Sequence, residues 1–248
     1  MSLLAPMYHN ITANWTDDIF TVQENLFAEH LYWLQLTGHQ PVTLAQIANW
    51  LDGQNSLPAR AYLITFDDGY LDNLERALPL LQRFHATACI FVTTNWCDSG
   101  KSSPGARKYP MLTWAHLRQL AEAGVEIGAH TLSHPFLTDM EPAIAWKEIY
   151  NSKRVVEDHL GREVHAFSYP NSKHNIAIRD MVREAGYRLA FGGSSGLCHK
   201  HTDRYSLYRP CVYNYCKVPE FVLSICTGID LRTRYRNWHI QQRPRHTE

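Results

Sequence analysis

The chain has 248 residues, with 24 Lys and Arg against 24 Asp and Glu and a hydrophobic share of 45%. That length and apolar content bury roughly three quarters of the unfolded surface without help from disulfides or metal, and they exclude intrinsic disorder. Zero formal charge argues against nucleic acid as the main partner. No basic, apolar leader and no stretch of about 18 apolar residues is present, so no transmembrane segment is expected and the reading is a soluble, cytoplasmic protein.

The first predicted strand is Leu3–Tyr8. Thr21-Val-Gln-Glu24 has the pattern of a capping box, opening a helix that turns Phe27, Leu31 and Leu34 inward and stops at Gly38. Thr43-Leu-Ala-Gln46 repeats the pattern for a shorter helix ending near Gly53. A strand at Ala61–Phe66 and a helical stretch at Leu71–Phe84, broken inside by Pro79, come next. Strands at Ala88–Thr93, Val125–Ala129 and Val164–Tyr169 then alternate with helices at Thr113–Ala123, Pro142–Leu160 and Asn175–Ala185. Strands at Tyr187–Phe191 and Tyr208–Tyr213 and a helix at Val218–Thr227 complete the pattern. These strands are unbroken apolar runs, as parallel strands covered on both faces are.

Seven strands with interleaved helices make an α/β fold, an open sheet or a barrel. The loops Thr94–Pro110 and Gly192–Ser206 are long enough to be functional or disordered. Residues 1–228 read as one catalytic domain and 229–248 as a basic tail carrying Arg232, Arg234, Arg236, Arg243 and Arg245. The six cysteines form no Cys-x-x-Cys pair, and Cys89 and Cys226, in apolar runs, read as small buried hydrophobes.

The chemistry concentrates in two segments. Leu63-Ile-Thr-Phe-Asp67-Asp68-Gly69 ends a buried strand in two carboxylates and a glycine able to turn the chain. Neighbouring side chains of a strand point to opposite faces, so the strand must stop there if both carboxylates are to reach one site. Val125-Glu-Ile-Gly-Ala-His130-Thr-Leu-Ser-His134-Pro135 also follows an apolar run, and histidines at i and i+4 over one turn suit a shared metal. Strand ends of parallel sheets gather ligand sites. Two imidazoles and one carboxylate leave open positions on a divalent cation, expected to be Zn²⁺, while the second carboxylate is left as a general base.

Thr65-Phe-Asp-Asp-Gly69 and His130-Thr-Leu-Ser-His134-Pro135, in this order, resemble the motifs of the polysaccharide deacetylases, carbohydrate esterase family 4 or the NodB-homology domain. Met111–Trp114, Ala123–His130 and Ala166–Pro170 are similar to the same family. The resemblance covers roughly Leu3 to Val212 and implies a distorted (β/α)7 barrel. It implies Asp67 as base and Asp68, His130 and His134 as holders of one divalent ion. The implied reaction is metal-dependent removal of an N-acetyl, less often O-acetyl, group from a sugar or glycan precursor.

The third family motif departs from the pattern. Ser168 stands where an orienting arginine is usual, and Asn171 replaces the aromatic residue whose backbone N–H lines the oxyanion hole. Tyr169, Asn171 and Arg209 are the expected substrate and oxyanion residues, with Arg209 also a possible stand-in for the missing arginine. For the general acid, His9 is the leading candidate, ahead of His174 and His239. Tyr70, Trp96 and Trp114 are candidates for stacking on a sugar ring. Two other readings compete: a non-catalytic carbohydrate-binding relic, and a non-haem Fe(II) oxygenase using a 2-His-1-carboxylate set.

Overall fold

The computed structural model describes residues 1–97, 109–193 and 196–227. The basic tail 229–248, His239 and most of the Thr94–Pro110 loop lie outside the described residues.

Seven parallel strands form one sheet in chain order: β1 (Met7–Tyr8), β2 (Ile64–Asp68), β3 (Ala88–Val92), β4 (Glu126–Ala129), β5 (Ala166–Ser168), β6 (Leu189–Gly193) and β7 (Leu207–Tyr208). A single parallel bridge, Met7 to Cys211, laces the first strand to the chain just beyond the last. The result is the expected distorted (β/α)7 barrel in a single domain. Helices α1 (Glu24–Leu36), α2 (Leu44–Leu51), α3 (Leu78–Arg83), α4 (Trp114–Glu122), α5 (Pro142–Leu160), α6 (Ile176–Glu184) and α7 (Val218–Thr227) complete it.

Alternation along the strands divides the core in two. Leu63, Cys89, Phe91, Ala166, Leu189, Phe191 and Leu207 fill one cluster inside the barrel. Their neighbours Ile64, Phe66, Ile90, Val92 and Phe167 point outward into a second cluster beneath the helices. Asp67 shares the inward face of Leu63 and Thr65, and Phe91 lies opposite it in register. A polar layer therefore rests directly on an aromatic floor.

Several local expectations need correction. Thr21–Gln23 is not a helix cap: it pairs in parallel with Asn10–Thr12, and α1 starts after Gln23 with no side-chain cap. Val22 is fully buried, and burying it in a ladder outweighs the capping pattern. The Thr43–Gln46 box does form, and a second box joins Thr113 to His116 at α4. Pro79 sits in the first turn of α3, after a wide π-turn at Asn73–Ala77, so it starts a helix and does not break one.

The run Leu3–Tyr8 divides at Ala5-Pro6. Ser2–Leu4 joins Arg60–Tyr62 and Gln40–Pro41 in a separate small sheet, and only Met7–Tyr8 enters the barrel. The last predicted strand shortens to Leu207–Tyr208 because Pro210 cannot donate to a ladder. Among the described residues there is no disulfide, and Cys226 is exposed, since α7 turns Phe221, Ser224 and Ile225 inward instead. None of the described helices is long and apolar enough to cross a membrane.

Gly128 is where the barrel floor is tightest. A Cβ there would stand 2.5 Å from the Phe91 ring and 2.9 Å from the Ala166 carbonyl oxygen. Gly128→Ala should lower unfolding free energy by about 1–3 kcal/mol, read from urea unfolding at neutral pH.

Candidate active site

The two strand-end carboxylates reach one site because the backbone turns at Asp68 itself: His130 Nε2 lies 4.0 Å from Asp67 Oδ2 and 3.6 Å from Asp68 Oδ1. Asp68 has φ 75° and Gly69 φ 88°, so the left-handed bend begins one residue earlier than the glycine suggests. Asp67 stays on the inward face of the ladder while Asp68 swings over the rim. The bend is held by the Gly69 N–H on the Asp67 carbonyl, the Thr93 N–H on that of Asp68 and the Leu112 N–H on that of Gly69.

The histidines also meet differently from the helical spacing expected of them. His130 follows β4 directly, and Thr131 (φ 67°) and His134 (φ 62°) both take left-handed backbone. A tight loop, not a helical turn, brings the rings together, with centroids 4.9 Å apart. The Thr131 hydroxyl accepts the His134 N–H at 2.9 Å inside this loop. The outer face of the loop is clamped by Glu148 of α5. One carboxylate oxygen accepts the Leu132 and Ser133 N–H groups at 2.9 Å each, and the other takes the Ser133 hydroxyl at 2.7 Å. Trp96 stacks on the His134 ring at 5.5 Å.

Asp68, His130 and His134 place one donor atom each within 4.8 Å of one another. Asp68 Oδ1 stands 3.6 Å from His130 Nε2 and 3.5 Å from His134 Nε2, too far for hydrogen bonds. That oxygen is buried and has no hydrogen-bond partner. Tetrahedral donors at ~2.0–2.2 Å from a common ion lie about 3.3–3.6 Å apart, and both edges that meet at Asp68 Oδ1 have that length, as a shared divalent cation requires. Tyr70 donates to the other oxygen, Oδ2, at 2.9 Å and fixes the carboxylate. His130 Nδ1 donates to the Ser168 carbonyl at 2.7 Å, leaving the Nε2 lone pair facing inward. Burial pushes the His130 pKa down to about 4 against the opposing pull of Asp67, so the ring is a neutral ligand at pH 7.

Asp67 is held differently. Arg209 grips it with Nη1 on Oδ1 at 2.7 Å and Nη2 on Oδ2 at 2.8 Å. Arg209 Nη2 also reaches Ser168 Oγ at 2.8 Å, and that hydroxyl donates to Asp67 Oδ2 at 3.2 Å. The guanidinium lies 5.5 Å above the Phe91 ring. Burial alone would raise the Asp67 pKa, but the Arg209 charge, helped by His130, overrides it and holds the carboxyl well below the usual range. Arg209 is thus not a rim residue for substrate: it is buried, and both its Nη atoms point at Asp67. Ser168, which stands where an orienting arginine is usual, is the seat of Arg209, the stand-in that the sequence offered.

His9 follows β1, whose register pairs Tyr8 with Phe66, so the next position along falls beside Asp67. Its charge is among those acting on Asp67. The ring packs 4.8 Å from Phe20, and its Nδ1 is buried without a hydrogen-bond partner. His174 is committed elsewhere, with Nε2 2.9 Å from Ser206 Oγ and its ring stacked 4.4 Å from Tyr169. The Tyr169 ring is itself buried, and its hydroxyl donates to the Tyr205 carbonyl at 3.0 Å. Asn171 is exposed at the β5 end in left-handed backbone, φ 56°. Trp114 is buried and stacks on His159 at 4.0 Å, which makes it packing and not a sugar platform.

Comparison with known proteins agrees with this geometry. The polysaccharide deacetylase family model matches residues 54–190, more than half of the chain. The chain belongs to the polysaccharide deacetylase family. It is 28% identical to a putative polysaccharide deacetylase, YxkH, of Bacillus subtilis over 82% of this chain and 68% of that protein. It is 26% identical to the poly-beta-1,6-N-acetyl-D-glucosamine N-deacetylase of Escherichia coli over 96% of this chain, which spans only 40% of that protein. The fold matches the Streptococcus pyogenes deacetylase PplD in complex with acetate at TM-score 0.80 and 21% identity, covering 91% of this chain and 98% of that one. The family match weighs against the oxygenase reading.

Glu148 was missed in the sequence, although a signal was present. It sits on the buried stripe of α5 with Ala145, Ile149, Ser152 and Val156, where an unpaired acid is not tolerated. Replacing Glu148 with alanine strands two amide N–H groups of the histidine loop. We expect Zn²⁺ affinity, measured by competitive titration, to fall roughly 10–100-fold, with glutamine losing less than alanine.

Arg209→Gln leaves the Asp67 carboxylate buried beside no cation. Unfolding free energy at pH 7 should drop by about 3–5 kcal/mol. The native pKa of Asp67 is depressed, so the pair's contribution is present above the ordinary carboxylate pKa and lost as pH falls through the depressed value. With Arg209 gone, burial loses its strongest opponent, and the acid limb of the pH–rate profile should move to higher pH.

Proposed function

We propose that this protein is a metal-dependent N-deacetylase acting on N-acetylglucosamine polymers. One observation carries the reading: an orphaned carboxylate oxygen faces two imidazole nitrogens, and a second carboxylate held ionised stands beside them. The polymer is taken from the printed activity of the Escherichia coli relative.

Asp68, His130 and His134 hold one divalent ion, Zn²⁺ in this reading. When bound, that ion supplies Lewis-acid polarisation of the acetamido carbonyl and favours ionisation of water. Asp67 is the general base. Arg209 and Ser168 occupy the lone pairs on its inner side and fix the plane of the carboxylate, so it takes the water proton on its open side. The Asn171 backbone N–H, at the rim of β5, donates to the carbonyl oxygen as it becomes an oxyanion. His9 delivers a proton to the departing amine. Water adds, the C–N bond breaks, and acetate and a sugar amine leave. A lectin-like relic would have no use for the Asp67–Arg209 pair, because binding a neutral sugar requires no ionised base.

The test is acetate release from N-acetylglucosamine oligomers by the full chain with Zn²⁺. Asp68→Asn and His134→Ala should remove both bound metal and activity. Asp67→Asn should keep the metal and lose at least roughly 10³-fold in kcat, with His9→Asn losing about 10²–10⁴-fold. A metal-loaded wild type that frees no acetate would refute the proposal.

A further inference from the structure

Beyond the site itself, a cavity of about 580 Å³ opens at the rim of β5, β6 and β7. Its walls come from the loops that carry the site. Thr138 lies four residues beyond His134, Ser172, Lys173 and His174 follow Asn171, and Ser206 precedes Arg209. The volume is in the range of small-molecule sites, and the lining mixes hydroxyls with an imidazole, as a polyol requires.

The cavity is rigid on one side and charged on the other. His174 is pinned by its stack on Tyr169 and its hydrogen bond to Ser206. Burial keeps its pKa below the ordinary histidine value, so it meets a ligand uncharged. Lys173 is then the one formally charged side chain of the lining. Its ammonium lies 4.7 Å over the ring of Phe136, two residues beyond His134. Among the described residues no carboxylate is within ion-pair distance of it, and Asp203, on the facing loop, is engaged by Arg179. Phe136 is exposed and gives the cavity mouth an apolar edge.

The proposed reaction changes charge. Each turnover converts a neutral acetamide into an amine that is protonated at neutral pH and below. A second sugar unit entering beside an unpaired ammonium is therefore neutral if still acetylated and cationic if already processed.

We propose that this cavity seats the sugar unit next to the one losing its acetyl group, and that Lys173 makes it reject a neighbour carrying a free amine. The inference rests on the deacetylase reading above and adds to it a preference for acetylated neighbours, so that deacetylated units are spaced along the chain. Two like charges ~6 Å apart, in a dielectric between that of water and that of a protein surface, give roughly 3- to 100-fold discrimination.

The experiment uses the full chain, loaded with Zn²⁺, on trisaccharides of N-acetylglucosamine with either all units acetylated or one neighbour of the central unit as the free amine. The readout is the ratio of kcat/KM for acetate release at the central unit. Wild type should favour the acetylated neighbour by roughly 3- to 100-fold, with the ratio shrinking at high salt. Lys173→Arg should retain the ratio, Lys173→Met should bring it toward one, and Lys173→Glu should invert it. A wild-type ratio of one, or a Lys173→Met ratio equal to wild type, overturns the subsite. If wild type turns over neither trisaccharide, the deacetylase reading falls and the subsite with it.

Discussion

The grip of Arg209 on Asp67 sets the electrostatics of the whole barrel mouth. It joins β2 to the segment just past β7, one strand in from the seam where the Met7–Cys211 bridge ties β1 to that same segment. A buried ion pair of this kind adds little net stability, because the desolvation of both groups offsets most of their attraction. What it does provide is a fixed negative charge in a place where burial alone would leave a neutral acid. Phe91 below the guanidinium, itself admitted only because residue 128 is glycine, keeps water out from underneath. Removing any part of this stack would change the protonation state above it.

The second constraint is backbone strain. Asp68, Thr131 and His134 all hold positive φ without being glycine, at roughly 1–2 kcal/mol each. Three such residues within one site persist only if the surroundings over-determine them. The neighbouring chain does this through main-chain donors on Asp67, Asp68 and Gly69, and Glu148 does it for the histidine loop. The strain has a geometric consequence. A regular strand would send Asp67 and Asp68 to opposite faces, whereas the bend at Asp68 leaves one carboxylate inside the barrel beside arginine and the other at the rim beside two imidazoles. Two chemically identical neighbours thus acquire different partners, an arginine for one and two imidazoles for the other.

Much of this was legible in the sequence, and the gaps have physical causes. The seven strands were readable because strands buried on both faces are unbroken apolar runs, and the doublet and the two histidines stood at their ends. The Thr21 capping pattern misled because capping is local while the ladder of Val22 with Ile11 is tertiary. Register also stayed hidden. Arg209 could be named as a stand-in for the arginine missing at Ser168, but its double grip on Asp67, arriving from 41 residues later across the sheet, depends on a register the chain order does not give. Glu148 could be read as a buried acid on the inner stripe of α5, but not its partners, which are 15 and 16 residues away.

The depressed pKa of Asp67 has a further consequence for its partner in proton transfer. A general base works best with a pKa near the working pH, and a carboxylate clamped by arginine is far below it. In the proposed reaction such a group would contribute position and charge more than driving force, and the acidity of the water would have to come from an ion held by the donor triangle. A histidine stands beside this carboxylate. His9 is that histidine by register, next along from the Tyr8–Phe66 pair, with its backbone carbonyl held by Asn73 and its ring against Phe20. Its buried Nδ1 has no hydrogen-bond partner among the described residues. A ring fixed at one face, with an unmet nitrogen and an anion beside it, is suited to pass a proton outward, and this favours His9 over His174, whose Nε2 is already bonded to Ser206.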